Sequence, residues 1–321
     1  MSESENACQE RLTAPPPIGA RLGLAALERV LEAHRAWLEQ SPGGLRASLH
    51  GIVLAEANLD KVNLERADLT AANFIDAHLS GASLSGADLQ WADFSDAMLI
   101  NADLSQVDLM DAKLERAVLA GANLSEAKLS GSSFREASLR EARLLETAME
   151  RCDFTGAILR EASLLQARAF DCTFADAELQ GANFYHCAFR SCKFGGATVS
   201  GSNWSTATVF NCEFRRADLA SVRFDRADLR QSSFWRATLI GASFRHARLN
   251  GADMEGADLS GAHFHEAATM SASFCGANLR AAQGFAQSQL AQARTDRYTV
   301  LPDGSHGPFL LGSGAHRPCR A

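Results

Sequence analysis

Counting from Leu49 to Leu279, every fifth residue is a slot for a large apolar side chain. Of the 47 slots, 45 hold Leu, Phe, Met, Val or Trp, and only Ala169 and Thr269 depart. Two residues before each slot stands a small or compact residue, Ala in 34 of the 47 cases. No insertion breaks this register over more than two hundred residues. A period of five fits neither the 3.6 of a helix nor the alternation of a simple strand. Unbroken self-similarity at a fixed period instead marks a solenoid, in which each repeat buries its apolar row only against its neighbours.

A second period lies inside the first. Every fourth slot from residue 54 gives Leu54, Phe74, Phe94, Leu114, then six successive Phe from Phe134 to Phe234, then Met254 and Phe274, so nine of the 18 Phe share one column. A neighbouring column runs Phe184, Trp204, Phe224, Phe244 and Phe264, whereas the column through Leu59, Leu79 and Leu99 has no aromatic residue. A coil of 20 residues with four sides explains this segregation, because like residues then stack on like. The 47 slots make about 12 coils, and at about 4.8 Å per coil the rod is roughly 55 Å long.

The segments Ala67-Asp68-Leu69-Thr70-Ala71, Ala122-Asn123-Leu124-Ser125-Glu126 and Ala257-Asp258-Leu259-Ser260-Gly261 carry the pattern A(D/N)LXX. In this the chain resembles the bacterial pentapeptide-repeat family, over roughly Ala47 to Ala281. The resemblance implies an all-β solenoid, a right-handed quadrilateral β-helix. The expected organisation is a disordered tail over 1–20, an N-terminal capping helix over 21–46, the β-helix over 47–282, and a C-terminal cap and tail over 283–321.

Cysteine is the first candidate for chemistry, because Cys172, Cys187 and Cys192 lie close together near His186 and Asp176. Cys152, Cys172, Cys192 and Cys212, however, are spaced by 20 and occupy the small inward slot before Phe154, Phe174, Phe194 and Phe214. They form a ladder continued by Ser132 and Ser232, so size selects them and cysteine acts as a small hydrophobe. Zinc needs ligands that converge tetrahedrally, whereas a parallel column points its side chains one way. Metal or redox binding through this column is therefore the most distant alternative, and no metal or other cofactor is expected. His186 is expected to point outward, as are His263 and His265.

At the N-terminus no apolar secretory segment follows MSESENACQE, and no run is long enough to span a membrane, so a reducing bacterial cytoplasm and free thiols are expected. Leu24, Leu27, Val30, Leu31, Trp37 and Leu38 fall at helical spacing, and Pro42-Gly43-Gly44 ends the pattern. His34 on this helix reads as a packing or surface residue. After Leu279 the register ends, with a short helix expected at about 285–294. The segment TVLPDG that follows resembles the ending of many family members.

The net charge of −7 is unevenly spread: residues 51–150 carry 17 acidic and 8 basic side chains, net −9, and residues 201–250 carry 4 and 8, net +4. Some members of the family mimic duplex DNA and bind type II topoisomerases, including gyrase, so DNA mimicry is the alternative that the resemblance brings. Outward arginines from Arg135 onward interrupt the continuous negative surface such mimicry needs. No long basic stripe interleaved with aromatics points to nucleic-acid binding. Carboxylates on a convex rod have no cleft to shift their pKa, and no phosphate loop or catalytic grouping stands out, so a non-enzyme is expected.

The remaining candidate is an interaction surface. Leu145, Leu165 and Tyr185 occupy the normally polar position after the central slot on three successive coils, and Phe170 and Phe210 do so one side round, where the slot weakens to Ala169. An apolar ridge on a polar rod is a common mark of a binding site. The expected occupant is a protein partner or a second copy of the chain, with Tyr185 as anchor. A rival expectation turns Phe170 inward, into the space that Ala169 leaves.

Overall fold

The structure, a computed structural model, describes residues 19–318. Nearly all of the tail expected over 1–20 lies outside the described residues. Gly19 and Ala20 are tied to the first coil by Gly19 N–H to Gly51 O at 2.7 Å and Val53 N–H to Ala20 O at 2.9 Å.

From Ser48 to His263, each residue just before a central slot forms a parallel bridge to the residue 20 positions later, as in Asn58 with His78, Asn63 with Ser83 and Asp68 with Asp88. The backbone hydrogen bonds explain why one pentapeptide has the composition it has. In the repeat around Leu59, Leu59 N–H reaches His78 O at 2.7 Å and Lys61 N–H reaches Ser80 O at 2.9 Å, both one coil up. Val62 N–H closes a turn back to Leu59 O at 3.1 Å, and Asp60 N–H donates to the Asn58 side chain at 3.1 Å. The Asn or Asp of A(D/N)LXX thus satisfies a backbone donor that no carbonyl reaches. The second residue after the slot takes a left-handed conformation, φ 57° at Lys61 and 65° at Gly81, as a type II turn requires.

Leu and Phe slots and the small residues before them are buried along the rod. Successive rings of the Phe column stack at 4.5–5.1 Å with planes within 6° of parallel, which is the spacing between strands. The largest core residue, Trp204, lies 3.7 Å from the Phe184 ring, and its indole N–H donates to Ser202 Oγ at 2.9 Å. Ser202 in turn donates to Val199 O at 2.7 Å, so the polar end of the tryptophan is satisfied inside the core.

Helix α1, Leu24–Leu38, packs on the first coil through buried Leu27 and His34, with Val30 and Leu31 half-buried. Leu24, expected on the packing face, is 82% exposed. His34 is the polar link: its Nδ1 accepts a hydrogen bond from Ala47 N–H at 3.1 Å, and the ring stacks on Trp37. At the other end α2 spans Gln287–Gln292, shorter than the 285–294 expected. Phe285 stacks on Phe264 at 4.2 Å, and the Gln289 amide donates to Phe264 O and Ala267 O at 2.9 and 2.7 Å. The TVLPDG segment then continues the coil, with Leu279 N–H on Val300 O, Ala281 N–H on Pro302 O, and Leu301 buried.

Candidate interaction surface

Four coils differ from the rest. On one side of the rod the isolated bridges widen into three-residue strands, β1 Ala148–Glu150, β2 Arg168–Phe170, β3 Ala188–Arg190 and β4 Thr208–Phe210, in a parallel sheet of that order. Their central residues are Met149, Ala169, Phe189 and Val209, four successive slots of this column without leucine. Extension changes what each coil shows to solvent, because side chains alternate along a strand. Each strand buries its middle residue and turns both flanking residues outward. One outward row is therefore Ala148, Arg168, Ala188 and Thr208, and the other is Glu150, Phe170, Arg190 and Phe210.

Phe170 is 52% exposed, so it does not turn inward; the gap beside buried Ala169 adjoins Met149 and Phe189, its register partners. Phe210 is half-buried beneath the Arg230 guanidinium, 5.9 Å from the ring centre. Tyr185 is 37% exposed with its ring edge on His186, which also points outward, and Leu145 and Leu165 are half-buried in the same column. The ridge residues thus border an exposed sheet face that carries Phe170 and Phe210 on its other row. Sequence reasoning found these side chains but missed the sheet; the signal was the loss of leucine from four successive slots of one column.

The cysteine ladder lies directly beneath this face, and its role goes beyond size. Elsewhere the small residue closes the turn, as Ile52 N–H does on Leu49 O. After β1 and β4 that donor turns to the side chain above it. Cys152 N–H points at Cys172 Sγ at 3.4 Å, and Cys212 N–H at Ser232 Oγ at 3.0 Å. The thiols themselves face backbone carbonyls, Cys152 Sγ toward Leu129 O and Cys172 Sγ toward Phe170 O. Hydrogen bonding with Cys172 and then burial push the Cys152 thiol up; Cys172 and Cys212, with burial, do the same to Cys192. Cys172 is pulled down by the hydrogen bonds from Cys152 and Cys192 that flank it. Burial, and then the neighbouring Cys212, push Cys187 up. Among the described residues no three His, Cys, Asp or Glu side chains are placed to share a metal ion.

Charges flank the face in stacked pairs. Below it Lys128 lies 3.7 Å from Asp108, and above it Arg248 and Arg230 lie 3.3 and 2.7 Å from Asp228. Partial burial raises the Asp228 pKa, but hydrogen bonds from Arg230 and the charge of Arg248 outweigh it and hold the carboxyl below its usual range. In the acidic half, Asp96 is paired with Arg116 and Asp93 with Lys113.

The five-residue pattern is matched by two profiles of known families. "Pentapeptide repeats (8 copies)" aligns with residues 47–86, 72–110, 87–119, 117–156 and 237–268, and "Pentapeptide repeat region" with residues 147–224. This chain belongs to the pentapeptide-repeat family. The region matched second contains all four widened strands. No curated protein matches. Among solved structures, the chain is similar to HetL, a pentapeptide repeat protein involved in heterocyst differentiation regulation from the cyanobacterium Nostoc sp. strain PCC 7120. The two are 24% identical over 89% of this chain and 99% of that one, with a TM-score of 0.29. Rfr23 from the cyanobacterium Cyanothece 51142 is 27% identical over 42% of this chain and 100% of its own, TM-score 0.34. QnrB1, a plasmid-mediated fluoroquinolone resistance protein, is 21% identical over 60% of this chain and 90% of its own, TM-score 0.29.

Proposed function

We propose that this pentapeptide-repeat protein is a non-enzymatic interaction or scaffold protein of the bacterial cytoplasm. It presents a rigid right-handed β-helix of about 12 coils, with α1 and the α2–TVLPDG segment closing its ends, as a docking surface for a protein partner. The observation that carries the reading is the sheet face of β1 to β4. There two phenylalanines, Tyr185 and two leucines come to the surface on successive coils. A preformed, rigid face loses little conformational entropy on docking. Among the described residues no helix is long and apolar enough to cross a membrane.

The reading is tested by affinity purification from the native host with the wild-type chain and with Leu165→Ser/Tyr185→Ser. Partner recovery falls in the variant while its melting temperature stays near the wild-type value. Equal recovery by both proteins contradicts the reading.

A further inference from the structure

The charges on either side of the sheet face are arranged so that the face is complementary to itself. In the outward row that contains Ala148 and Thr208, the two coils below β1 carry Asp108 then Lys128, and the two coils above β4 carry Asp228 then Arg248. Consider a second copy laid antiparallel against this face, with a two-fold axis between β2 and β3. The twofold then sets Lys128 opposite Asp228 of the second copy, and Asp108 opposite its Arg248. Each stacked ion pair of one molecule closes a square of alternating charge with a stacked ion pair of the other.

The same operation places the bulky Arg168 over the small Ala188 of the second copy, Phe170 over its Arg190, and Leu165 against its Tyr185. At the rim it sets Glu126 opposite Arg226. Moving the axis by half a coil either way destroys the match, since Asp108 then meets Asp228, or Lys128 meets Arg248. Of these three registers, the one centred on the apolar patch satisfies the charges of this row. Isologous contacts of this kind close on themselves and do not propagate into fibres.

We infer that the partner of the β1–β4 face is a second copy of this chain, docked face to face and antiparallel about a two-fold axis between Arg168 and Ala188. This rests on the reading of that face as a docking surface and names its occupant. Like charges forced together across such an interface oppose association strongly, and exposed pairs govern its salt dependence.

Sedimentation velocity on the full chain over a concentration series tests it, with the exposed Glu126→Arg and Arg226→Glu as probes. The wild-type protein is expected to dimerise, less tightly at high salt. Either variant alone faces like charges and weakens the dimer by about tenfold or more. An equimolar mixture of the two variants dimerises as the wild type does. In that heterodimer the two substituted side chains meet with opposite charges at one rim, and the native Glu126 and Arg226 meet at the other. A wild-type chain that stays monomeric overturns the inference, as does a dimer indifferent to both variants or a mixture that fails to recover. Should the chain be monomeric while partner recovery still depends on Leu165 and Tyr185, the docking face stands and only its occupant is wrong. Loss of both removes the face itself.

Discussion

Cys172 shows how one side chain can serve packing and backbone chemistry together. It is buried, and its sulfur stands 3.4 Å from the Cys152 amide that the widened strand has freed from its turn. Replacement by alanine leaves that donor without an acceptor and opens a small void, so Cys172→Ala should cost about 1–2 kcal/mol. Cys172→Ser should cost less, because Ser232 already performs this service for Cys212 at 3.0 Å. Thermal denaturation of the pair checks this, and equal losses for Ala and Ser would reduce the ladder to a matter of size alone. The left-handed turn positions give a second residue-level prediction. Ala71 holds φ 56° where Gly81 holds 65° one repeat pair later. Ala71→Gly should therefore raise stability by up to about 1 kcal/mol, and Gly81→Ala should lower it by a similar amount. The Cβ added at Gly81 meets only Lys61 Cγ at 3.5 Å, an ordinary contact, so the loss is conformational.

At the scale of elements, α1 is held to the first coil by a histidine that must stay neutral. Burial lowers the His34 pKa from its usual 6.5, and Nδ1 can accept from Ala47 N–H only when unprotonated. The folded state therefore binds the proton more weakly than the unfolded chain. The stability that His34 contributes is present above about pH 6.5 and is lost as the pH falls through the lowered folded value. Exchange of the Ala47 amide, corrected for its intrinsic pH dependence, should accelerate on acidification, and His34→Asn should remove the acceleration. A pH-independent opening would show that the helix is held by Leu27 and its apolar neighbours alone. The sequence made the position of α1 legible through its helical spacing, but not the exposure of Leu24, which precedes the first turn that meets the coil. The five-residue period located every slot and stacked Phe74 on Phe94, because period and side-chain size alone decide those contacts. It could not reveal β1 to β4. Whether a turn closes or extends depends on the shape of Met149, Ala169, Phe189 and Val209 and on an acceptor supplied 20 residues later.

For the whole molecule, charge distribution separates the proposed function from DNA mimicry. The N-terminal half is acidic, yet Lys113, Arg116 and Lys128 each pair with the aspartate one coil below, so its negative surface is interrupted coil by coil. Such a surface competes poorly with duplex DNA for a positively charged saddle. Gyrase supercoiling should proceed unchanged at protein concentrations equal to the enzyme's, and stoichiometric inhibition would favour the mimic. The central claim, that the β1–β4 face is where this rod is occupied, is tested most directly by carbene footprinting of the full chain in its native host, read residue by residue by mass spectrometry against dilute purified protein. Phe170 and Tyr185 are 52% and 37% exposed in the free chain, while Met98 and Ile240, on the opposite side of the rod, are 36% and 46% exposed. Phe170 and Tyr185 should lose label in the host while Met98 and Ile240 keep theirs. Unchanged labelling of Phe170 and Tyr185, with protection appearing at Met98 or Ile240, would contradict that claim.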